Sequence, residues 1–195
     1  MDDNTTGSGN TAIGREVLAN NTTADENVGV GKLALYTNTT GAGNVAIGYT
    51  ALRLNTTASN NTAVGRQAMY ANTTGAENVA MGAYALDANT EGGYNTALGI
   101  QALSTNTTAN YNTAIGRLAL YLNTTGASNV AVGESALAAN TTASYNTAVG
   151  GASLDANTTG ASNTGIGYAA LGANTTSSNN VAVGYAALAT QQASG

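Results

Sequence analysis

Apolar residues recur along this chain at fixed intervals. An Asn opens a segment of the form Asn-(Thr/Val)-Ala-(Ile/Val)-Gly at Asn10, Asn27, Asn44, Asn61, Asn78, Asn95, Asn112, Asn129, Asn146, Asn163 and Asn180, and every step is 17 residues with no insertion. We number the positions of each unit from one to seventeen, starting at that Asn. Position nine is Leu (Leu18, Leu35, Leu52, Leu86, Leu103, Leu120 and Leu137 among others), with Met69 the single substitute. Position four is always aliphatic, from Ile13 to Val183, and position five is always Gly, as at Gly48, Gly65 and Gly82. Positions six, seven, ten and eleven vary freely. A strict period over eleven copies gives each copy an equivalent place in a stack, and the invariant positions mark its inside.

Local propensities then give the elements. The (Thr/Val)-Ala-(Ile/Val) segment is β-branched and alternating, so it predicts a short strand. The invariant Gly after it implies either a positive φ or the close approach of another backbone. The following x-x-Ala-Leu-x-x segment suits a second short strand or one helical turn, and the strand is the preferred reading. Asn-Thr-Thr-Gly is turn chemistry, since Asn tolerates left-handed backbone and bonds its own main chain. Seventeen residues are too few for two helices. The predicted fold is therefore all-β: a β-solenoid (β-roll or β-helix) of about eleven 17-residue coils.

The whole chain, 1–195, reads as one repeat domain: a partial repeat at 4–9, full repeats from Asn10 through the one opened by Asn163, and an incomplete repeat at 180–195. At a spacing of about 4.8 Å per coil the rod is on the order of 50 Å long. The Leu and the position-four columns are both expected to form apolar ladders inside. Each such burial is worth about 1.5–3 kcal/mol, against about 1–2 kcal/mol per residue ordered. One coil cannot fold alone; it needs neighbours on both sides.

Two Asn columns run the length of the stack. Position one is Asn throughout, including Asn44, Asn61, Asn78 and Asn95; position twelve is Asn from Asn21 to Asn174, with Gln191 last. Stacked amides satisfy donor and acceptor together, so these columns are expected to build ladders and turns. Positions three and eight are mostly Ala, with Gly29, Gly165 and Ser153 departing. In a strand, positions eight and nine would face opposite ways. The Ala column then either meets a partner chain or lines an interior corner, and the pattern allows both.

Composition narrows the function. Only 8% of residues are charged, the net charge is −5, and His, Cys, Pro, Trp and Phe are absent. Five basic residues are too few to neutralise phosphates, which argues against nucleic acid. Without Cys there are no disulfides or thiolate metal sites. No apolar run approaches the 18 residues of a membrane span, and no signal peptide is visible at the start. Catalysis needs a nucleophile, a base and a pocket, and the few acids are scattered. Asp2-Asp3 and Asp25-Glu26 read as solvated charge. The chain is read as no enzyme, with no cofactor and no metal.

Positions thirteen and fourteen are Thr-Thr in nine of eleven copies, for example Thr73-Thr74, Thr107-Thr108 and Thr124-Thr125. A regular Thr array resembles the faces of ice-binding β-solenoids, although those pair hydroxyls as Thr-x-Thr. Here adjacent Thr would alternate and leave an Asn-x-Thr surface row. Asn-Thr-Thr is also an acceptor pattern for N-glycosylation. The ten Tyr fall at variable, outward positions: Tyr36, Tyr70 and Tyr121 at ten; Tyr49, Tyr168 and Tyr185 at six; Tyr94, Tyr111 and Tyr145 at seventeen; Tyr84 at seven. Exposed Tyr suits contact with sugars or protein partners.

The segments Asn-Thr-Ala-Ile-Gly (10–14), Asn-Val-Ala-Ile-Gly (44–48) and Asn-Val-Ala-Val-Gly (129–133) resemble the Ser-Val-Ala-Ile-Gly strand motif of trimeric autotransporter adhesin heads. The longer unit from Asn112 to Thr125 is similar to repeats of bacterial and phage tail-fibre proteins. The resemblance implies a β-roll, trimerisation and an extracellular adhesive or spacer role. This chain departs from it in its period of 17, in lacking a heptad stalk and membrane anchor, and in lacking the fibre proteins' chaperone domain.

The expected function is a structural fibre or adhesin repeat, extracellular or at the cell surface. It would be a rigid solenoid that associates with itself as a trimer or a head-to-tail filament, and would have a host surface or carbohydrate as ligand. The filament is suggested by repeats that run off both ends, since head-to-tail contacts do not close. The alternative is a monomeric ice- or surface-binding solenoid that uses the Asn-Thr-Thr ladders.

Overall fold

The computed structural model describes residues 3–190. Met1, Asp2 and residues 191–195 lie outside that range, including Gln191 at position twelve. Eleven three-residue strands follow one another: β1 (Thr11–Ile13), β2 (Val28–Val30), β3 (Val45–Ile47), β4 (Thr62–Val64), β5 (Val79–Met81), β6 (Thr96–Leu98), β7 (Thr113–Ile115), β8 (Val130–Val132), β9 (Thr147–Val149), β10 (Thr164–Ile166) and β11 (Val181–Val183). They form one parallel sheet in chain order. Identical positions pair, as in Thr62 with Val79, Ala63 with Ala80 and Val64 with Met81. The fold is an all-β solenoid whose coils are 17 residues long. The partial repeat at 4–9 continues the stack: Thr5 N donates to Thr22 O at 2.9 Å, and Asn21 Nδ2 to Asn4 Oδ1 at 3.0 Å.

Each coil has one strand, not two. The segment at positions six to eleven is a run of turns. Its backbone is left-handed at position seven, with φ from 51° to 62°, and again at the Leu of position nine, with φ from 50° to 55°. Amides in this run alternate direction along the rod. Leu33 N donates to Arg15 O of the coil before (3.0 Å), whereas Leu35 N donates to Ala51 O of the coil after (3.1 Å). Between them Ala34 N folds back to Gly31 O at 3.2 Å. Left-handed backbone costs an ordinary residue about 1–2 kcal/mol, and it persists because every coil repeats the same bonds.

That geometry reassigns the inside. The alternation of a strand would separate positions eight and nine, but here both are buried: Ala85 and Leu86, like Ala102 and Leu103, show no exposure. The Ala column at eight is therefore interior, and no partner meets it. Position three is also interior (Ala63, Ala80 and Ala97 fully buried). The core is thus two Ala columns and one Leu column. The position-four ladder is a correction to the expectation of two inner apolar ladders. Positions two and four flank the inward Ala of a strand, so they point out; Ile47 is 40% exposed and Met81 47%.

The departures from Ala are matched in pairs. Val17 at position eight faces Gly29 at position three of the next coil, and a Cβ on Gly29 would collide with Val17 Cγ1. Ser153 faces Gly165 in the same way; its Oγ donates to Gly165 O at 2.9 Å, and a Cβ on Gly165 would lie 2.6 Å from that Oγ. A larger residue on one side of the core is met by the smallest on the other.

The invariant Gly of position five answers to both of its expected causes. Its φ lies between 116° and 138° throughout, a range closed to other residues. Its neighbour is also too near: a Cβ on Gly99 would lie 2.6 Å from the carbonyl carbon of Gly116.

Candidate functional site

The two Asn columns lie at the inner edge of the coil and are fully buried from Asn27 to Asn163 and from Asn21 to Asn174, apart from Asn95 at 1% exposure. Within position twelve each amide donates down the stack, as Asn72 Nδ2 does to Asn55 Oδ1 at 3.0 Å. Within position one the side-chain oxygen takes the next coil's backbone: Asn61 N donates to Asn44 Oδ1 at 3.0 Å. The two columns meet at position fifteen, where Asn44 Nδ2 and Asn55 Nδ2 both donate to Ala58 O at 2.9 Å. Apart from Asn27 Nδ2 and Asn174 Oδ1, which have no hydrogen-bond partner among the described residues, these groups are consumed by the fold. Asn44, Asn61, Asn78 and Asn95 therefore present nothing to a ligand, and neither do the core Leu residues from Leu18 to Leu137 or Gly48, Gly65 and Gly82.

The Thr pairs divide. At position thirteen the hydroxyls are half-buried and donate to the next coil's carbonyl: Thr73 Oγ1 to Thr90 O at 3.0 Å, Thr107 Oγ1 to Thr124 O at 3.3 Å, Thr124 Oγ1 to Thr141 O at 3.0 Å. At position fourteen Thr74, Thr108 and Thr125 are exposed, and their hydroxyls donate to no group among the described residues. The expected Asn-x-Thr surface row does not form, because the Asn is inside. A single row of Thr remains.

A second outward feature is the sheet face. Positions two and four of eleven strands contribute Thr, Val, Ile, Met and Leu, with no charged residue among them. Ile47, Met81, Ile115, Val149 and Ile166 are each exposed by 37% or more. Tyr residues sit just before and just after the strands: Tyr94 and Tyr111 stack with ring centroids 5.0 Å apart, and Tyr168 and Tyr185 at 5.5 Å. Aliphatic conservation of type at position four reads as core in the sequence, so this face was not anticipated. The signal was strand alternation itself, applied to a three-residue strand whose middle residue is the small one.

Each basic side chain is engaged. Arg53 lies between the rings of Tyr36 and Tyr70 (5.7 and 5.8 Å) and donates through Nη1 to Tyr70 OH at 2.8 Å. Lys32 sits over Tyr49 and Arg66 over Tyr84. Arg15 pairs with Glu16 and Arg117 with Glu134 at the surface. Tyr36, Tyr70 and Tyr84 are thus half-buried under cations.

Among the acids, Asp25 Oδ1 accepts from Ser8 N and Oγ. Burial pushes the Asp87 carboxyl above the usual range, opposed by the Ser104 hydroxyl that donates to it at 2.6 Å. Asp155 is raised by burial too, opposed by backbone hydrogen bonds. Among the described residues no three His, Cys, Asp or Glu side chains come together as a metal site would require, and no helix is long and apolar enough to cross a membrane. Comparison of the chain with protein-family models, with curated proteins and with solved structures returned no match.

Proposed function

We propose that the chain is a non-catalytic structural repeat of an extracellular or cell-surface fibre or adhesin, and that it associates with copies of itself side by side through the outward face of β1–β11. The observation that supports this reading is the uncharged strip at positions two and four. The strip is about 48 Å long and about 7 Å wide. With positions six and seventeen on its flanks, which carry Tyr together with Arg15, Lys32, Arg66, Arg117, Glu26, Glu77 and Glu134, the face widens to roughly 15–20 Å, on the order of 800 Å² per copy, the area a stable protein–protein interface needs from each partner. An uncharged, largely aliphatic centre with a polar, charged rim is the make-up of a protein–protein contact. A second copy is the fitting occupant, because both faces share one axial repeat and the strips at their centres carry no charge. The extracellular placement rests on the resemblance to adhesin heads and fibre repeats.

Sedimentation analysis of the purified chain tests self-association. A multiple of 19.1 kDa is expected at micromolar concentration. Combined Ile47→Lys, Met81→Lys and Ile115→Lys should return it to the monomer with unchanged circular dichroism. A wild-type chain that is monomeric at high concentration overturns the proposal. Filaments that survive the three Lys substitutions move the contact to the ends of the rod and overturn the side-by-side reading.

The alternative reading, a monomeric ice- or surface-binding solenoid, is supported by the exposed row through Thr74, Thr108 and Thr125, without the Asn residues. Thermal hysteresis and ice shaping by the purified monomer test it; their absence rejects it.

A further inference from the structure

Position six carries an outward side chain in most coils: Arg15, Lys32, Tyr49, Arg66, Ile100, Arg117, Glu134, Tyr168 and Tyr185. At Gly151 the line of side chains is interrupted, and a cavity of about 160 Å³ opens between Glu134 and Tyr168, lined also by Ser135, Gly151 and Ala152. The backbone does not demand Gly here. Gly150 has a φ of 128°, but Gly151 lies outside the left-handed region. A Cβ on Gly151 would meet Tyr168 Cδ2 at 3.4 Å and Cε2 at 3.6 Å, ordinary contact distances. A side chain here would start against the Tyr168 ring. The missing side chain is what leaves that ring face open.

The walls of this notch are exposed side chains, each with a neighbour on its outer side. The far face of Tyr168 stacks on Tyr185 at 5.5 Å and 15°. Across the gap the Glu134 carboxylate accepts a hydrogen bond from Arg117 Nε at 3.2 Å. Glu134 and Tyr168 stand two coils apart, about 9–10 Å. That exceeds the room needed by a flat aromatic guest, which touches each wall at about 3.5–4 Å, and suits a saturated ring.

We propose that the Gly151 notch binds one pyranose ring of a carbohydrate chain. The C–H face of such a ring packs on Tyr168, and its hydroxyl rim reaches the free lone pairs of Glu134 and the remaining N–H groups of Arg117. An apolar platform opposite a few convergent polar groups is the usual make-up of a ligand site. The cavity is well below the roughly 300–1,000 Å³ of sites for drug-sized ligands, so it takes a single ring. An ammonium ligand is disfavoured, because Arg117 already balances the Glu134 charge. This inference goes beyond the proposed self-association; Tyr168 also flanks the face proposed to associate, so the notch is tested on the monomer.

Amide NMR of the full chain titrated with methyl glucopyranosides, galactopyranosides and mannopyranosides tests the proposal. At least one glycoside should shift the Gly151 amide saturably, with a dissociation constant on the order of millimolar. Gly151→Ile, which copies Ile100 at the same position, should weaken binding at least tenfold while retaining the melting temperature. Should that variant misfold, Glu134→Gln and Tyr168→Ala provide the same readout, each expected to weaken binding. No saturable shift from any glycoside overturns the proposal. So does saturable binding of choline or butylammonium in their place, and so does glycoside binding unchanged by all three substitutions.

Discussion

Val17 and Gly29 occupy facing sides of the core in adjacent coils, and Cγ1 of the Val fills the volume where a Cβ on residue 29 would stand. Ser153 and Gly165 repeat the arrangement near the other end of the rod. Position three of one coil therefore packs on position eight of the coil before, and the two share one fixed volume. Gly165→Ala alone should lower stability by about 1–3 kcal/mol, the usual cost of overpacking. Adding Ser153→Ala restores the Ala–Ala pair of the other coils, so the double variant should melt at least as high as wild type. A double-mutant cycle followed by thermal denaturation reads the coupling; simple additivity of the two effects would reject the shared volume.

Much of this fold was legible in the sequence. The gapless period fixes the stack, and the β-branched triplet before each Gly fixes the strand. The exterior was not legible, because Leu86 and Ile115 are equally aliphatic in equally regular columns. Only the backbone separates them. Left-handed residues at seven and nine turn both Ala85 and Leu86 inward, and no residue-type preference announces a left-handed Leu. The volume pairing was available as two Gly residues that each follow a departure from Ala by twelve positions, but reading Gly29, Gly165 and Ser153 as isolated exceptions hides it. The Gly151 notch was hidden because position six varies freely. It emerges once Gly151 is seen to lack the φ that explains Gly150.

The inner and outer aliphatic columns should respond differently to truncation. Leu86→Ala removes a fully buried side chain between two coils and should cost about 2–5 kcal/mol. Ile115→Thr copies a residue type already present on the same face at position two and should change monomer stability by less than about 0.5 kcal/mol. Urea denaturation of both variants at low protein concentration checks the contrast. Equal losses would place position four inside the core.

Asn44 and Asn55 converge on Ala58 O, but their loss is not equivalent. Asn55→Ala removes side-chain partners of Asn38 and Asn72. Asn44→Ala also orphans a buried backbone donor, the Asn61 N–H that bonds to Asn44 Oδ1. An unpaired buried polar group costs about 1–3 kcal/mol, so both variants should be destabilised and Asn44→Ala the more. Hydrogen exchange at the Asn61 amide gives the specific readout. Protection there should fall sharply in Asn44→Ala and little in Asn55→Ala.

Positive φ has two opposite mutational signatures in this chain. Gly65→Ala places a side chain at φ 138° and, at the same time, against the Gly82 carbonyl carbon 2.7 Å away. Backbone strain alone is worth about 1–3 kcal/mol, and the clash adds to it. Ser128 has a φ of 58° at position seventeen, where Gly9 and Gly43 stand in other coils. Ser128→Gly relieves that strain at the expense of a more flexible unfolded chain, so it should be neutral to mildly stabilising. Melting temperatures of the two variants should move in different directions or by very different amounts.

Stability should fall as pH rises through the carboxylate range, because of Asp87 and Asp155. Burial raises the folded pKa of both above the usual value. A raised folded pKa means that the protonated acid suits the fold better than the ion. Its contribution is fully present below the unfolded pKa of about 3.9 and is lost as pH climbs through the folded value. The Ser104 hydroxyl, which donates to Asp87 Oδ1 at 2.6 Å, offsets part of this loss by stabilising the ionised form. Asp87→Asn keeps an oxygen acceptor for Ser104 and removes the charge. Its melting temperature should exceed that of wild type at pH 7, converge with it near pH 4, and show a flatter profile between. Ser104→Ala should steepen the wild-type fall. Parallel profiles for wild type and Asp87→Asn would show that Asp87 ionises without cost and that its burial is not felt by the fold.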